Sequence, residues 1–200
     1  MLPGGALARI PNVARIIPNL KRIFDYAKDR RLTTLLATDA HVPDDPEFST
    51  YNFPPHCVLG TTGQLRIPET DLTPTLVVPN RQDSFLPPLP EVEHLVVMVE
   101  KQHFSVGTNP NFSALFAALG PCHIVATGVA SGGCVKQSIL SLLELGASVS
   151  IVVDAVGPDI QEEMGRAAID ELGRLGVRAV TTEDVCSGAL EDQLHNVSVA

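Results

Sequence analysis

From residue 94 onward the chain alternates strand-sized apolar runs with amphipathic segments, and this rhythm constrains the fold more than any other feature. Residues 94–99, 123–127, 148–153 and 177–180 read as buried strands, while 111–119, 135–145 and 160–175 carry helical periodicity. Strands that alternate with helices require right-handed crossovers, and the expected architecture is α/β: a three-layer α/β/α stack around a mostly parallel sheet. Upstream, the periodicity predicts a helix within 12–30, with Pro18 in an early turn or at a kink, and a short strand at 33–38. Residues 39–90 hold most of the prolines and read as a long functional excursion, so residues 1–200 form one expected domain. In such sheets ligands bind beyond the carboxyl ends of the strands, which directs attention to the residues after Thr38, Val99 and Thr127.

Charge and cysteine usage narrow the function classes. Fourteen Lys and Arg against 23 Asp and Glu give a net charge of -9, which repels phosphate backbones and anionic lipid surfaces. No apolar run approaches the roughly 20 residues that span a bilayer, so neither nucleic acid nor a membrane is an expected partner. Cys57, Cys122, Cys134 and Cys186 contain no CxxC pair, which argues against a disulfide framework or a thiolate zinc site and fits a cytoplasmic location. Arg9, Arg15, Lys21 and Arg22 precede any acidic residue, as in an organelle transit peptide. However, Val13, Ile16, Ile17, Leu20 and Phe24 fit the buried stripe of an ordinary helix.

Three strand ends carry chemistry. After Thr127, the small-residue turn 128–133 delivers Cys134 to the start of a helix, where the helix dipole and free N–H groups favour thiolate and could hold an oxyanion. After Val99 comes Glu100-Lys101, either a solvated strand end or a cation that would lower the pKa of a neighbouring thiol. After Thr38 comes Asp39-Ala40-His41, whose spacing puts both side chains on one side of an extended chain. With His56 they would make two imidazoles and a carboxylate, a set suited to a divalent transition metal with open positions. Glu47 is a candidate fourth ligand, although the run 44–47 reads more simply as a solvated turn. His94, His103 and His195 receive no role.

In order and spacing these pieces resemble the isochorismatase-like cysteine hydrolase superfamily, closest to its nicotinamidase branch. The resemblance rests on residues 3–7, Asp39-Ala40-His41, the stretch 53–61 from Phe53 through His56 to Thr61, Glu100-Lys101, residues 127–135 and residues 153–156. It implies Cys134 as nucleophile, Lys101 as its cationic partner, and a non-proline cis peptide at Val129-Ala130. The N–H groups of Ala130 and Cys134 would form the oxyanion hole, and Phe53, where nicotinamidases commonly carry tryptophan, would contact the substrate. Asp39, His41 and His56 would hold a divalent ion, zinc in the first instance, with iron and manganese as alternatives. The implied reaction is hydrolysis of a small carboxamide, nicotinamide to nicotinate plus ammonia, through a thioester, in a chain that could form a homo-oligomer. Two alternatives stay open: a metal-independent isochorismatase-like or ureido-amide hydrolase, and a pseudoenzyme.

The last alternative arises from a departure. The family opens with a strand ending in an Asp-x-Gln-x-Asp-Phe-type motif whose first Asp completes the triad. Here the first acidic residue is Asp25, inside the expected helix, so that Asp has no counterpart. The expectation is a sheet that lacks its first, central strand, with Met1 a misplaced start.

Overall fold

Along each central strand consecutive apolar side chains go to opposite faces, so the near-continuous runs of the sequence feed two separate cores. Leu35, Val97, Ile124 and Ile151 enter one cluster, and their neighbours Leu36, Val96, Val125 and Val152 enter the other. The computed structural model describes residues 5–82, 87–120, 123–159, 161–190 and 197–199. Residues 3 and 4 of the opening motif, Cys122, Ile160 and His195 lie outside them.

The strands are β1 (Thr34–Asp39), β2 (Leu76–Val78), β3 (Val96–Lys101), β4 (His123–Gly128), β5 (Ser148–Val156), β6 (Arg178–Val180) and β7 (Val197–Val199). They form one seven-stranded sheet in the order β2-β3-β1-β7-β4-β5-β6, and every pairing is parallel. The helices are α1 (Ile17–Asp29), α2 (Pro46–Thr50), α3 (Phe112–Leu119), α4 (Lys136–Glu144), α5 (Glu162–Arg174) and α6 (Thr182–Cys186). Phe112, Leu115, Ile139, Leu142 and Leu172 of α3, α4 and α5 cover one face of the sheet. Leu20, Ile23 and Phe24 of α1, with Val185 of α6, cover the other. The three-layer expectation is thereby met. Among the described residues no helix is long and apolar enough to cross a membrane.

The expected vacancy at the centre of the sheet is corrected in part. Val197–Val199 enters between β1 and β4, pairing with residues 123–125 on one side and with Thr34 on the other. Unpaired central strands would bury backbone donors and acceptors without partners, and a short valine-rich segment relieves this cost. The ladder reaches only Thr34 and Val125. Beyond it a cavity of about 440 Å³ opens between the two strand ends, lined by Leu20 and Phe24 from one helical layer and by Ile139 and Leu142 from the other.

Candidate active site

β1 and β3 are neighbours, and their register sets Asp39 beside Lys101 at the carboxyl edge of the sheet. Both strands run one or two residues further than apolar character alone suggests, so these charged residues are strand ends and not loop starts. Lys101 is 2% exposed, and a buried ammonium needs acceptors for its three hydrogens and a counter-charge. It donates to the Asp39 carboxylate, to the His103 main-chain oxygen at 3.0 Å and to Cys134 Sγ at 3.5 Å. Burial works against the charged form of Lys101, but the Asp39 carboxylate and the cysteine outweigh it and raise its pKa.

Cys134 arrives through a tight turn, Ser131–Val135, immediately ahead of α4. The Val129-Ala130 peptide is cis. The end of β5 clasps this turn: Gly157 N–H donates to the Gly128 oxygen at 2.8 Å and the Gly157 oxygen accepts from Ser131 N–H at 3.0 Å. A Cβ at position 157 would fall inside 3.0 Å of Val129 Cγ1, so only glycine lets the strand come this close. The expectation of a depressed thiol is corrected. Burial pushes Cys134 up to about 11, against the pull of the Lys101 cation, and the Asp39 carboxylate adds to the rise. The cation is present, but burial of the sulfur outweighs its pull.

His41 does not continue the β1 direction. Its N–H donates to the Cys57 oxygen at 3.1 Å and its oxygen accepts from Leu59 N–H at 2.9 Å, so the segment after His56 draws it away from Asp39. Asp45, which caps α2 by accepting from Glu47 N–H at 2.9 Å, also receives His41 Nδ1 at 3.0 Å. Burial opposes the Asp45 carboxylate, yet the Glu47 N–H and the His41 ring hold its pKa below the ordinary range. His56 Nδ1 donates to the Pro54 oxygen at 2.9 Å. With both Nδ1 atoms engaged, each ring presents Nε2, and second-shell bonds of this kind orient metal-binding histidines.

The resulting donor set is His41, Glu47 and His56, whose ligand atoms lie within 4.8 Å of one another. His41 Nε2 is buried and, among the described residues, has no hydrogen-bond partner, which is the atom a bound cation would satisfy. Two imidazoles and a carboxylate therefore fit a divalent transition metal. Asp39, expected with this set, pairs through Oδ1 with the Lys101 ammonium beside which strand register places it. Glu47, read from the sequence as a solvated turn, is 4% exposed, and its Oε2 lies 3.1 Å from His103 Nδ1.

Phe53 sits in an aromatic group with His56 at 5.8 Å, Tyr51 at 5.9 Å and Phe104 at 6.4 Å between ring centroids. Asp45, His103 and Phe104 carried no sequence signal of their own. Only their folding against Glu47, Lys101 and Phe53 shows their part. The cavity at the centre of the sheet opens among Asp39, Lys101, Thr127 and Cys134.

The thiol, the ammonium and the histidine-carboxylate cluster lie beyond the carboxyl edge of a parallel sheet, the place where α/β proteins of this architecture bind their ligands. The isochorismatase domain profile matches residues 81–184. This chain belongs to the isochorismatase-like hydrolase family. It is 26% identical to the nicotinamidase of Escherichia coli (strain K12), over 90% of this chain and 89% of that protein. An isochorismatase-like hydrolase from Alkaliphilus metalliredigens superposes with a TM-score of 0.70 at 23% identity, covering 90% of this chain and 88% of its own. The pyrazinamidase of Pyrococcus horikoshii, solved in complex with zinc, superposes at 0.67 with 24% identity, covering 90% and 92%.

Proposed function

We propose that this protein hydrolyses the carboxamide of nicotinamide, releasing ammonia and nicotinate, with Cys134 as nucleophile. The observation that carries the reading is the Lys101 ammonium donating to Cys134 Sγ at 3.5 Å at the start of α4. The 26% identity to a nicotinamidase points to the substrate.

The sulfur attacks the carboxamide carbon, forming an S–C bond as the carbonyl electrons move onto oxygen. The N–H groups of Ala130 and Cys134, on the turn clasped by Gly157, receive that oxyanion, as backbone donors do in acyl transfer. Lys101 gives one proton to the departing nitrogen and takes up the thiol proton in its place, and the C–N bond breaks to give ammonia and a thioester. Water then cleaves the S–C bond, yielding nicotinate and restoring the thiol. Phe53 and Phe104 offer an edge-on aromatic pair beside the site, a surface suited to a flat heteroaromatic ring. A divalent ion bound by His41, Glu47 and His56 would supply a Lewis-acid anchor for the pyridine nitrogen, directly or through water.

Ammonia release from nicotinamide by the purified chain with zinc tests this reading. The expected result is turnover that Cys134→Ala abolishes. Turnover of a ureido acid with none of nicotinamide would favour the ureido-amide alternative, and hydrolysis of neither would favour the pseudoenzyme.

A further inference from the structure

The cavity at the centre of the sheet has two cations in its wall, Lys101 and Arg66, and they differ in what faces them. Lys101 is paired with the Asp39 carboxylate. Arg66 sits between two short helical turns, Thr62–Gln64 and Pro68–Thr70, and reaches over α1. Its guanidinium carbon lies 5.7 Å from the centroid of the Phe24 ring, and its Nε donates to the Thr70 oxygen at 3.0 Å. Among the described residues that is its one hydrogen bond, and no carboxylate lies within salt-bridge distance of it. Burial lowers its pKa to about 10 while the Asp71 charge works to raise it, so the group stays cationic at neutral pH. A guanidinium drawn out of bulk water gains most from an anion that meets its remaining N–H groups in the plane of the fork. The volume of about 440 Å³ falls in the range that encloses drug-sized ligands, and a single pyridine ring fills only part of it.

We propose that Arg66 binds a substrate carboxylate in this cavity, and that the site takes, besides nicotinamide, primary amides of linear apolar acids whose other end is a carboxylate. The proposal rests on the reading of Cys134 as nucleophile and extends it to a second substrate class. The neutral carboxamide goes to Cys134, the methylene chain lies along Leu20, Ile139 and Leu142, and the carboxylate pairs with Arg66, all of which line the one cavity. The reverse orientation is disfavoured, because it sets the substrate anion against the Asp39 carboxylate, whose charge Lys101 already offsets. The chemistry is that of nicotinamide: the S–C bond forms, the C–N bond breaks as ammonia leaves with a proton from Lys101, and water cleaves the thioester to give a dicarboxylate.

The probes are adipamate, the half-amide of a six-carbon dicarboxylic acid, and its neutral methyl ester, with binding measured by calorimetry on the Cys134→Ala chain so that no turnover is needed. Adipamate is expected to bind about ten- to a hundredfold more tightly than the ester, the range of a hydrogen bond to a charged partner. Arg66→Gln should remove that preference and Arg66→Lys should keep part of it. In the unaltered chain adipamate should slow iodoacetamide alkylation of Cys134, read by peptide mass spectrometry, and should release ammonia. Equal affinity for adipamate and its ester overturns the proposal without any Arg66 variant having to fold. A preference that persists in folded Arg66→Gln overturns it as well, as does adipamate binding that leaves Cys134 alkylation untouched. Ammonia from nicotinamide with none from bound adipamate overturns the substrate class. Binding through Arg66 with ammonia released from neither amide supports the carboxylate site and overturns the nucleophile reading instead.

Discussion

Gly157→Ala tests how the site is held, because it adds one methyl group where β5 presses on the turn before Cys134. The added Cβ falls inside 3.0 Å of Val129 Cγ1, with Ile16 Cδ1 a further 3.4 Å neighbour. Ordinary contact begins near 3.4 Å, so Val129 or the end of β5 must move by about 0.5–1 Å. Overpacking of this kind costs about 1–3 kcal/mol. The same displacement acts on the Gly128 and Ser131 bonds that clasp the turn, and a misplacement near 1 Å lowers turnover about a hundredfold. Urea unfolding gives the stability loss, and ammonia release gives the activity loss. Val129→Ala in the same chain removes the opposing Cγ1 and should recover much of both. A Gly157→Ala protein with unaltered urea midpoint and turnover would refute the claim that this close approach shapes the site.

Other perturbations follow from the packing and charge pattern. Phe112→Ala removes a ring that is 1% exposed in the core beside Leu115 and Phe116, and urea denaturation should show a loss of about 3–5 kcal/mol. Asp154→Ala deletes the acceptor of Thr182 N–H at 2.8 Å and Thr182 Oγ1 at 2.9 Å, which ties β5 to α6; the expected loss is about 1–3 kcal/mol with the Cys134 alkylation rate preserved. His123, hydrogen-bonded to Ser148 and Ser150, has its pKa lowered by burial and by the Arg178 charge. Its contribution is present above the unfolded value near 6.5 and is lost as pH falls through the lower folded value, so the melting temperature should drop from pH 7 to pH 5. His123→Gln should flatten that dependence.

The regular half of the fold was legible because β-branched runs such as Ile151-Val152 are buried on both faces and leave a continuous apolar signal. The ends of those runs were not, since Asp39 and Lys101 interrupt the apolar pattern while still pairing in the sheet. Strands β2 and β7 span three residues each, too few to show a period. The presence of a thiol, a lysine and a histidine-carboxylate set near the strand ends could be read directly. That Asp39 lies beside Lys101 and Glu47 beside the two histidines could not, because it depends on the register of β1 against β3 and on the pull of residues 57–59 on His41. Glu47 looked solvated because its neighbours Asp44, Asp45 and Pro46 are polar or turn-forming. In the fold it is buried, with His103 from a distant segment bonded to its Oε2 and His41 and His56 close by.

The short strand at the middle of the sheet has a kinetic consequence. Within each half, pairings such as β4 with β5 or β5 with β6 join residues about 25 to 28 positions apart, so those ladders close small loops. The pairing of Thr34 with Val199 spans 165 positions, and β7 joins the β1 side to the β4 side through only three residues. Closing a longer loop costs more entropy before any contact repays it. The two flanks of the sheet should therefore form as separate units, with β7 joining them last. In pulse-labelled hydrogen exchange β5 and β6 amides would gain protection before those of β7, and simultaneous protection would contradict that order.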